Sequence, residues 1–390
     1  MAPTEGAKRA AGLDGLRGIA ATCVFLVHIW IYTHPSRPPR ETFWDFLLWE
    51  LRLSVVFFFV LSGFLLFRDF ARAVVRDGRA ADVRGYAKRR AARIMPAYYV
   101  ALAGAVALLW GGSIEGFRPI SEGELLIFAV FGQDYSLDTL LRFNPVLWTL
   151  GLEVAFYISL PFIGAAAYRL GGARRTAWLL VAVAALGLGW NAAVHFGEWG
   201  RVASYALPSY LPYFAFGMAM SLWLEWSVEH RGRRPSIGPA ASVLTMAGGF
   251  ALVVADGVWH ALTAAPGDDT LIGVFADLPS ALGFALVIGT AAFGSGAAVA
   301  WTRFRPFVYV GVVSYGFYLW HVPVILFVKR IGLLPESFGL AVLATLPFAL
   351  AIAAASWHLM EQPVLKRAAR RTAARGRSRR AARLAARTAP

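Results

Sequence analysis

The sequence predicts an all-α polytopic membrane protein of about ten transmembrane helices, with both termini in the cytoplasm. Three observations predict it. Hydrophobic residues make up 58% of the 390-residue chain and charged residues only 16%, where a soluble domain carries about 25% charged. The apolar residues fall into runs of about twenty, the length a helix needs to cross a hydrocarbon core of roughly 30 Å. These runs do not alternate as barrel strands do, and only helices or closed barrels satisfy the backbone in lipid. Third, the net charge of +15 is concentrated in a few connecting segments and one tail, which is a topology signal.

The apolar runs lie near 13–33, 48–67, 94–111, 146–168, 177–196, 205–226, 240–260, 271–293, 307–328 and 337–360. A shorter stretch, 125–132, is too short to span and is expected to be re-entrant or interfacial. The charge bias supports leaving it out. One side then receives the N-terminus, 68–93, 169–176, 229–239, 294–306 and the C-terminus. Segment 68–93 alone carries Arg68, Arg72, Arg76, Arg79, Arg84, Lys88, Arg89, Arg90 and Arg93. The other side receives few cations: Arg37, Arg40, Arg118, Arg142, Arg201, Lys329 and Arg330. A crossing at 125–132 would swap every later loop and spoil this bias, so the basic side is cytoplasmic.

Residues 1–12 read as a cytoplasmic N-terminal tail, 13–365 as the transmembrane domain and 366–390 as a basic Ala/Arg-rich cytoplasmic tail. The first apolar run is interrupted by Arg17 and His28 and lacks a small-residue cleavage site, so it is a retained helix rather than a signal peptide. The basic tail suits the anionic lipid of an inner leaflet. Nucleic acid is not an expected partner. Cys23 is the single cysteine, which excludes an intrachain disulfide. No Cys/His cluster suggests zinc, and no metal is expected.

Ionisable residues inside spans are costly and therefore point to function. Arg17 and His28 are eleven residues apart in the first span, which is roughly 20° past three full turns and about 16 Å along the axis. They share a face, with His28 in the outer half. Ser62 and Gly63, near the cytoplasmic end of the second run, would let a backbone or ligand approach closely. Arg90 and Arg93 precede Pro96 at the next membrane entry, where a guanidinium pair suits phosphate; a lipid headgroup is the alternative. Glu153 lies roughly 10 Å into the run that starts WTLGLEVAFY. The ninth run, GVVSYGFYLWHVP, supplies Ser314, Tyr315 and His321. Glu361, at the inner surface, is expected to pair with an arginine. By depth, His28, Glu153 and His321 share the outer half. Arg17, Ser62, Arg90 and Arg93 gather at the inner side, as the walls of a polar tunnel.

Arg17-x10-His28, FFFVLSGFL, the Arg90-x2-Arg93-Ile-x-Pro96 turn, WTLGLEVAFY and SYGFYLWHVP, in this order, resemble the acyltransferase-3 superfamily of membrane O-acyltransferases over about residues 13–365. The resemblance implies that Arg17 and His28 are the essential pair, Glu153 the intramembrane acid and Arg90 and Arg93 the basic turn for acyl-CoA. A hydrolase-like outer domain fused in some relatives is not expected here. The implied function is transfer of an acetyl or other short acyl group from acyl-CoA to a hydroxyl. The acceptor would be a sugar, a cell-envelope polysaccharide or a natural product such as a macrolide, and the enzyme would sit in the inner (plasma) membrane. In this expectation acyl-CoA docks from the cytoplasm on Arg90, Arg93 and Arg17. His28 is then the general base, oriented by Glu153, with Ser314, Tyr315 or His321 donating to the thioester oxyanion. The alternative is a proton-coupled secondary transporter using His28, Glu153 and His321 as a relay. It predicts internal repeats, and the two halves show none.

Overall fold

With no water in the hydrocarbon to pair backbone groups, each apolar run closes its own hydrogen bonds as a helix. The computed structural model describes residues 5–34, 41–109, 120–197, 199–263 and 272–370, and every regular element among them is helical. Arg37, Arg40, Arg118 and the tail after 370 lie outside the described residues. In chain order the principal helices are α1 (Glu5–Thr33), α2 (Ser54–Leu66), α3 (Val83–Leu109), α4 (Glu122–Ala129), α5 (Trp148–Leu170) and α6 (Ala173–Phe196). They continue with α7 (Leu207–Arg231), α8 (Pro239–Thr263), α9 (Leu278–Phe293), α10 (Arg305–Val312), α11 (Ser314–Arg330) and α12 (Phe338–Ser356).

Among the described residues, seven helical segments are long and apolar enough to cross a membrane, or nine if each of two sharply bent pairs is one span. The chain is a multi-pass membrane protein. The run at 205–226, expected as a further span, forms the 25-residue α7 but is not among those nine. Ser221, Glu225 and Ser227 of α7 are fully buried, because that side of the helix packs against neighbours that include α2, α6 and α9. The stretch at 125–132 begins within α4 and runs three residues past its end at Ala129; α4 has eight residues, or about 12 Å, well short of a crossing.

Two of the expected elements differ in the structure. The single span expected at 307–328 is instead two helices, α10 and α11, bent by 78°. On α10, a Cβ at Gly311 would overlap the Asp14 carbonyl of α1, and one at Gly18 would overlap the Phe307 carbonyl. Backbone-to-backbone packing holds α10 against α1, and the chain turns at Val313 to start α11. The expected turn at Arg90–Pro96 is the interior of a continuous helix, since α3 begins at Val83 and keeps Pro96 within it.

Glu225 ties the segment after α2 to α7. Its carboxylate lies 3.1 Å from Arg68, 3.5 Å from Arg72 and 3.0 Å from Arg76. This cluster marks the arginine-rich end of the bundle.

Candidate active site

A cavity of about 990 Å³ opens between α1, α2, α3, α5 and α11. Seven of the residues singled out from the sequence line it: Arg17, Ser62, Arg90, Arg93, Glu153, Ser314 and Tyr315. Arg89, Arg90, Arg93 and Arg17 make its mouth cationic, with Asp14 and Glu153 the only acids among its lining residues. Val55, Phe58, Phe59 and Tyr318 line its far end.

At the mouth, Arg17 donates to Ser314 Oγ at 3.1 Å and lies 3.3 Å from Asp14. Arg93 pairs with Glu361 at 3.4 Å, as expected for that acid. Its guanidinium also lies 5.6 Å from the ring centre of Tyr315 and 5.4 Å from that of Trp357. Arg93 is therefore fixed by the protein itself. Arg90 forms no hydrogen bond or ion pair with the described residues, so its guanidinium remains available to an anion.

Ser62 and Gly63 separate, because successive helical residues point about 100° apart. Ser62 donates to Glu153 at 2.8 Å in the cavity wall. Gly63 does not line the cavity. A Cβ there would overlap the Phe214 carbonyl of α7, and one at Gly217 would overlap the Val60 carbonyl. Gly63 thus serves the α2–α7 crossing, a correction to its expected place beside the donor.

The two histidines do not line the cavity either. They face each other behind it, with His321 Nε2 3.3 Å from His28 Nδ1 and ring centres 5.0 Å apart. Neighbouring carbonyls assign the protons, since a carbonyl only accepts. His28 Nδ1 lies 2.7 Å from the Val24 carbonyl and must carry a proton. His321 Nδ1 lies 2.8 Å from the Tyr318 carbonyl and 3.1 Å from that of Phe317, and must carry one too. His321 Nε2 is then a lone pair that accepts from His28 Nδ1–H. The free nitrogen of His28, Nε2, is a lone pair as well, which is the state a general base requires.

Several expected roles change with this geometry. Among the described residues no hydrogen bond joins Glu153 to His28; the neighbour of the imidazole is His321. Tyr315 donates its hydroxyl proton to the Ile94 carbonyl at 3.0 Å, and His321 donates to backbone carbonyls, so neither has a proton to offer an oxyanion. Ser314 keeps its own proton while accepting from Arg17. It stands seven residues before His321, however, roughly 10 Å along α11, and belongs to the mouth.

Sequence reasoning missed Tyr318, the side chain through which the cavity meets the histidines. It lines the cavity, lies edge-on to His321 at 5.7 Å between ring centres and shares a 2.8 Å hydrogen bond with Thr149. Its position, four residues after Ser314 and three before His321, was the available signal. A second polar cluster, at the opposite end of the bundle, was also missed. Arg52 lies 3.2 Å from Glu50 and 3.4 Å from Asp277, and donates to His260 Nδ1 at 3.1 Å. Ligand atoms of Asp256, His260 and Asp277 lie within 4.8 Å of one another, close enough to surround a cation. Arg52 already bonds two of these three residues and supplies positive charge there.

Residues 10–358 match the family model described as an acyltransferase domain. The chain is 31% identical over 230 residues to Nodulation protein 10 of Rhizobium leguminosarum bv. viciae, covering 55% of this chain and 59% of that protein. It is 28% identical over 338 residues to the exopolysaccharide production protein ExoZ of Rhizobium meliloti (strain 1021), covering 83% of this chain and 93% of that protein. No solved structure matches the chain.

Proposed function

Because this chain belongs to the acyltransferase-3 family, a family of membrane acyltransferases, we propose that it transfers an acetyl or other short acyl group from acyl-CoA to a hydroxyl of a sugar unit. The observation that carries this reading is the cavity: a cationic mouth, a largely apolar shaft, and a histidine base behind the far end. Along α2 it runs from Leu66 to Val55, roughly 16 Å, a length comparable to that of an extended pantetheine arm. Little length is left over for a long acyl chain. The arginine-rich mouth faces the cytoplasm of the plasma membrane by the positive-inside rule.

In this mechanism Arg90 contacts the CoA phosphates, with Arg93 and Arg17 held nearby in the cationic mouth. The Glu153 carboxylate accepts from amide N–H groups of the pantetheine arm. The rings of Phe58 and Tyr318, in edge contact with centres 6.4 Å apart, stand between the cavity and the histidines and part to let the thioester reach His28. His28 Nε2 takes the proton of the acceptor hydroxyl, whose oxygen attacks the thioester carbonyl carbon. The carbon–sulfur bond breaks, and the leaving thiolate takes the proton back from His28. His321 accepts from His28 Nδ1–H throughout and favours the imidazolium as it forms. The exopolysaccharide in the name of one relative supports a sugar acceptor over a macrolide.

Purified protein in lipid nanodiscs tests the reading by acyl-CoA-dependent thiol release. His28→Ala, at normal protein level, is expected to lower turnover by about 10²-fold or more, and wild-type turnover in that variant removes His28 from the mechanism. A proton-coupled transporter also accommodates the His28–His321 pair, but predicts no thiol release from any acyl-CoA.

A further inference from the structure

A second pocket, of about 410 Å³, lies at the end of the bundle opposite the arginines. It is built from the last turns of α6, the short helix Gly200–Ser204, the first turns of α7 and the two residues that precede α9. Tyr210, in its wall, is fifteen residues from Glu225 along α7, or roughly 22 Å from the arginine-rich end. Asn191, His195, Ser204, Tyr210, Tyr213 and Asp277 give it hydroxyl, amide, imidazole and carboxylate groups beside two aromatic rings.

Asp277 is the most informative of these residues. It has φ of 60°, in the left-handed region, which a non-glycine residue holds only when its surroundings require it. It occupies the cap position of α9, yet its side chain does not cap that helix. The carboxylate instead meets Arg52 at 3.4 Å and His260 at 3.5 Å, while the residue lines the pocket. Both contacts fall on Oδ1, which leaves Oδ2 its acceptor capacity. Asn191 is braced similarly, donating to the Ser209 carbonyl at 3.3 Å.

The pocket also stands back to back with the large cavity. Phe59 lines the cavity and Tyr210 lines the pocket, and their ring centres are 5.2 Å apart. One pair of aromatic rings separates the two.

We propose that this pocket binds a sugar presented at the outer face of the membrane, as the acceptor chain or a neighbouring unit of it. The Oδ2 of Asp277 accepts from ring hydroxyls, amide and hydroxyl groups pair with the others, and a tyrosine face suits the C–H face of a pyranose. A macrolide, with its broad apolar ring, would leave the Asp277 and Asn191 groups desolvated and unpaired. The assignment of the sugar as acceptor rests on the acyltransferase reading; sugar binding as such does not.

The test is equilibrium binding of radiolabelled cellobiose and lactose to the full chain in nanodiscs, without acyl-CoA, alongside thiol release from acetyl-CoA in the same preparations. Saturable binding is expected for at least one disaccharide, weakened at least tenfold by Ser204→Phe, which fills the pocket, and by Asp277→Asn. Because Asp277→Asn also removes a partner of Arg52, Ser204→Phe decides the matter if the former fails to fold. Absence of saturable binding by either sugar overturns the proposal, as does binding undiminished in Ser204→Phe, or tighter binding of a macrolide that Ser204→Phe abolishes. Thiol release without sugar binding leaves the enzyme reading standing and the pocket refuted. Sugar binding sensitive to Ser204→Phe without thiol release supports the pocket and refutes the enzyme reading.

Discussion

Replacing His321 with phenylalanine keeps a planar ring between Phe25, Phe317 and Tyr318 but removes the lone pair that His28 Nδ1–H meets at 3.3 Å. The variant isolates one interaction. His28 keeps its 2.7 Å bond to the Val24 carbonyl, so its tautomer and the base at Nε2 survive. The Phe317 and Tyr318 carbonyls that His321 bonded still lie within α11. What disappears is a second acceptor that strengthens when His28 becomes charged. Hydrogen bonds to charged groups contribute about 1.5–3 kcal/mol. This one is long and shared, so the lower end applies, about 1.5 kcal/mol or roughly tenfold in turnover. His28→Phe removes the proposed base itself and should cost about 10²–10⁴. His321 acts through His28, so the double variant should be no slower than His28→Phe alone. The assay is acyl-CoA-dependent thiol release at saturating acceptor, with KM for acyl-CoA unchanged throughout, because neither histidine lines the cavity proposed to hold the donor. Unaltered turnover in His321→Phe refutes the reasoning, and so do losses that multiply in the double variant.

Arg90→Gln is expected to raise KM for acetyl-CoA about fivefold, an exposed phosphate contact being worth about 1 kcal/mol, with turnover preserved. S-acetylpantetheine, which lacks the nucleotide phosphates, should not distinguish the variant from wild type, and an equal KM increase with both donors contradicts the phosphate role. Gly63→Ala places a methyl group into the Phe214 carbonyl and should destabilise the protein by about 1–3 kcal/mol, seen as a lower melting point with donor KM unchanged. Normal stability with a raised KM would restore Gly63 to the donor site. Asp134, between the third and fourth apolar runs, has its carboxyl pushed up to about 8 by burial, against a smaller downward pull from the Leu152 N–H. The folded protein therefore holds a proton that the unfolded chain releases between about pH 4 and 8, so this contribution to stability is present at low pH and lost as pH rises through that window. Asp134→Asn should narrow the difference in melting point between pH 5 and pH 8.5, and an unchanged difference rejects the assignment.

Much of the architecture was legible in the chain because its causes are local. Hydrocarbon forces each apolar run to be helical, and the clustering of Arg68 through Arg93 assigns the ends of the bundle. Three and a fraction turns put Arg17 and His28 on one face of α1 without any tertiary information. The same arithmetic places Ser314 and His321, seven residues apart, on one face of α11. Glu361 could be matched to an arginine by depth alone.

What the tertiary structure decided is lateral. Depth along a helix is fixed by rise per residue, but the neighbour at that depth depends on crossing angles and on which glycines permit contact. Glu153 and His321 were both at the level of His28, and only packing gave the imidazole His321 and gave Glu153 to Ser62. Gly63 and Ser62 are adjacent in the chain, yet the approach of Phe214 turned one into a crossing point and left the other in the cavity wall. The bend at Val313 follows from Gly18 and Gly311 bringing α1 and α10 into backbone contact. The cluster of Glu50, Arg52, Asp256, His260 and Asp277 is assembled from three segments more than two hundred residues apart at their extremes. Sequence set the heights of the polar groups, because a helix converts residue number into depth; packing chose their partners, because side-by-side contact has no such conversion.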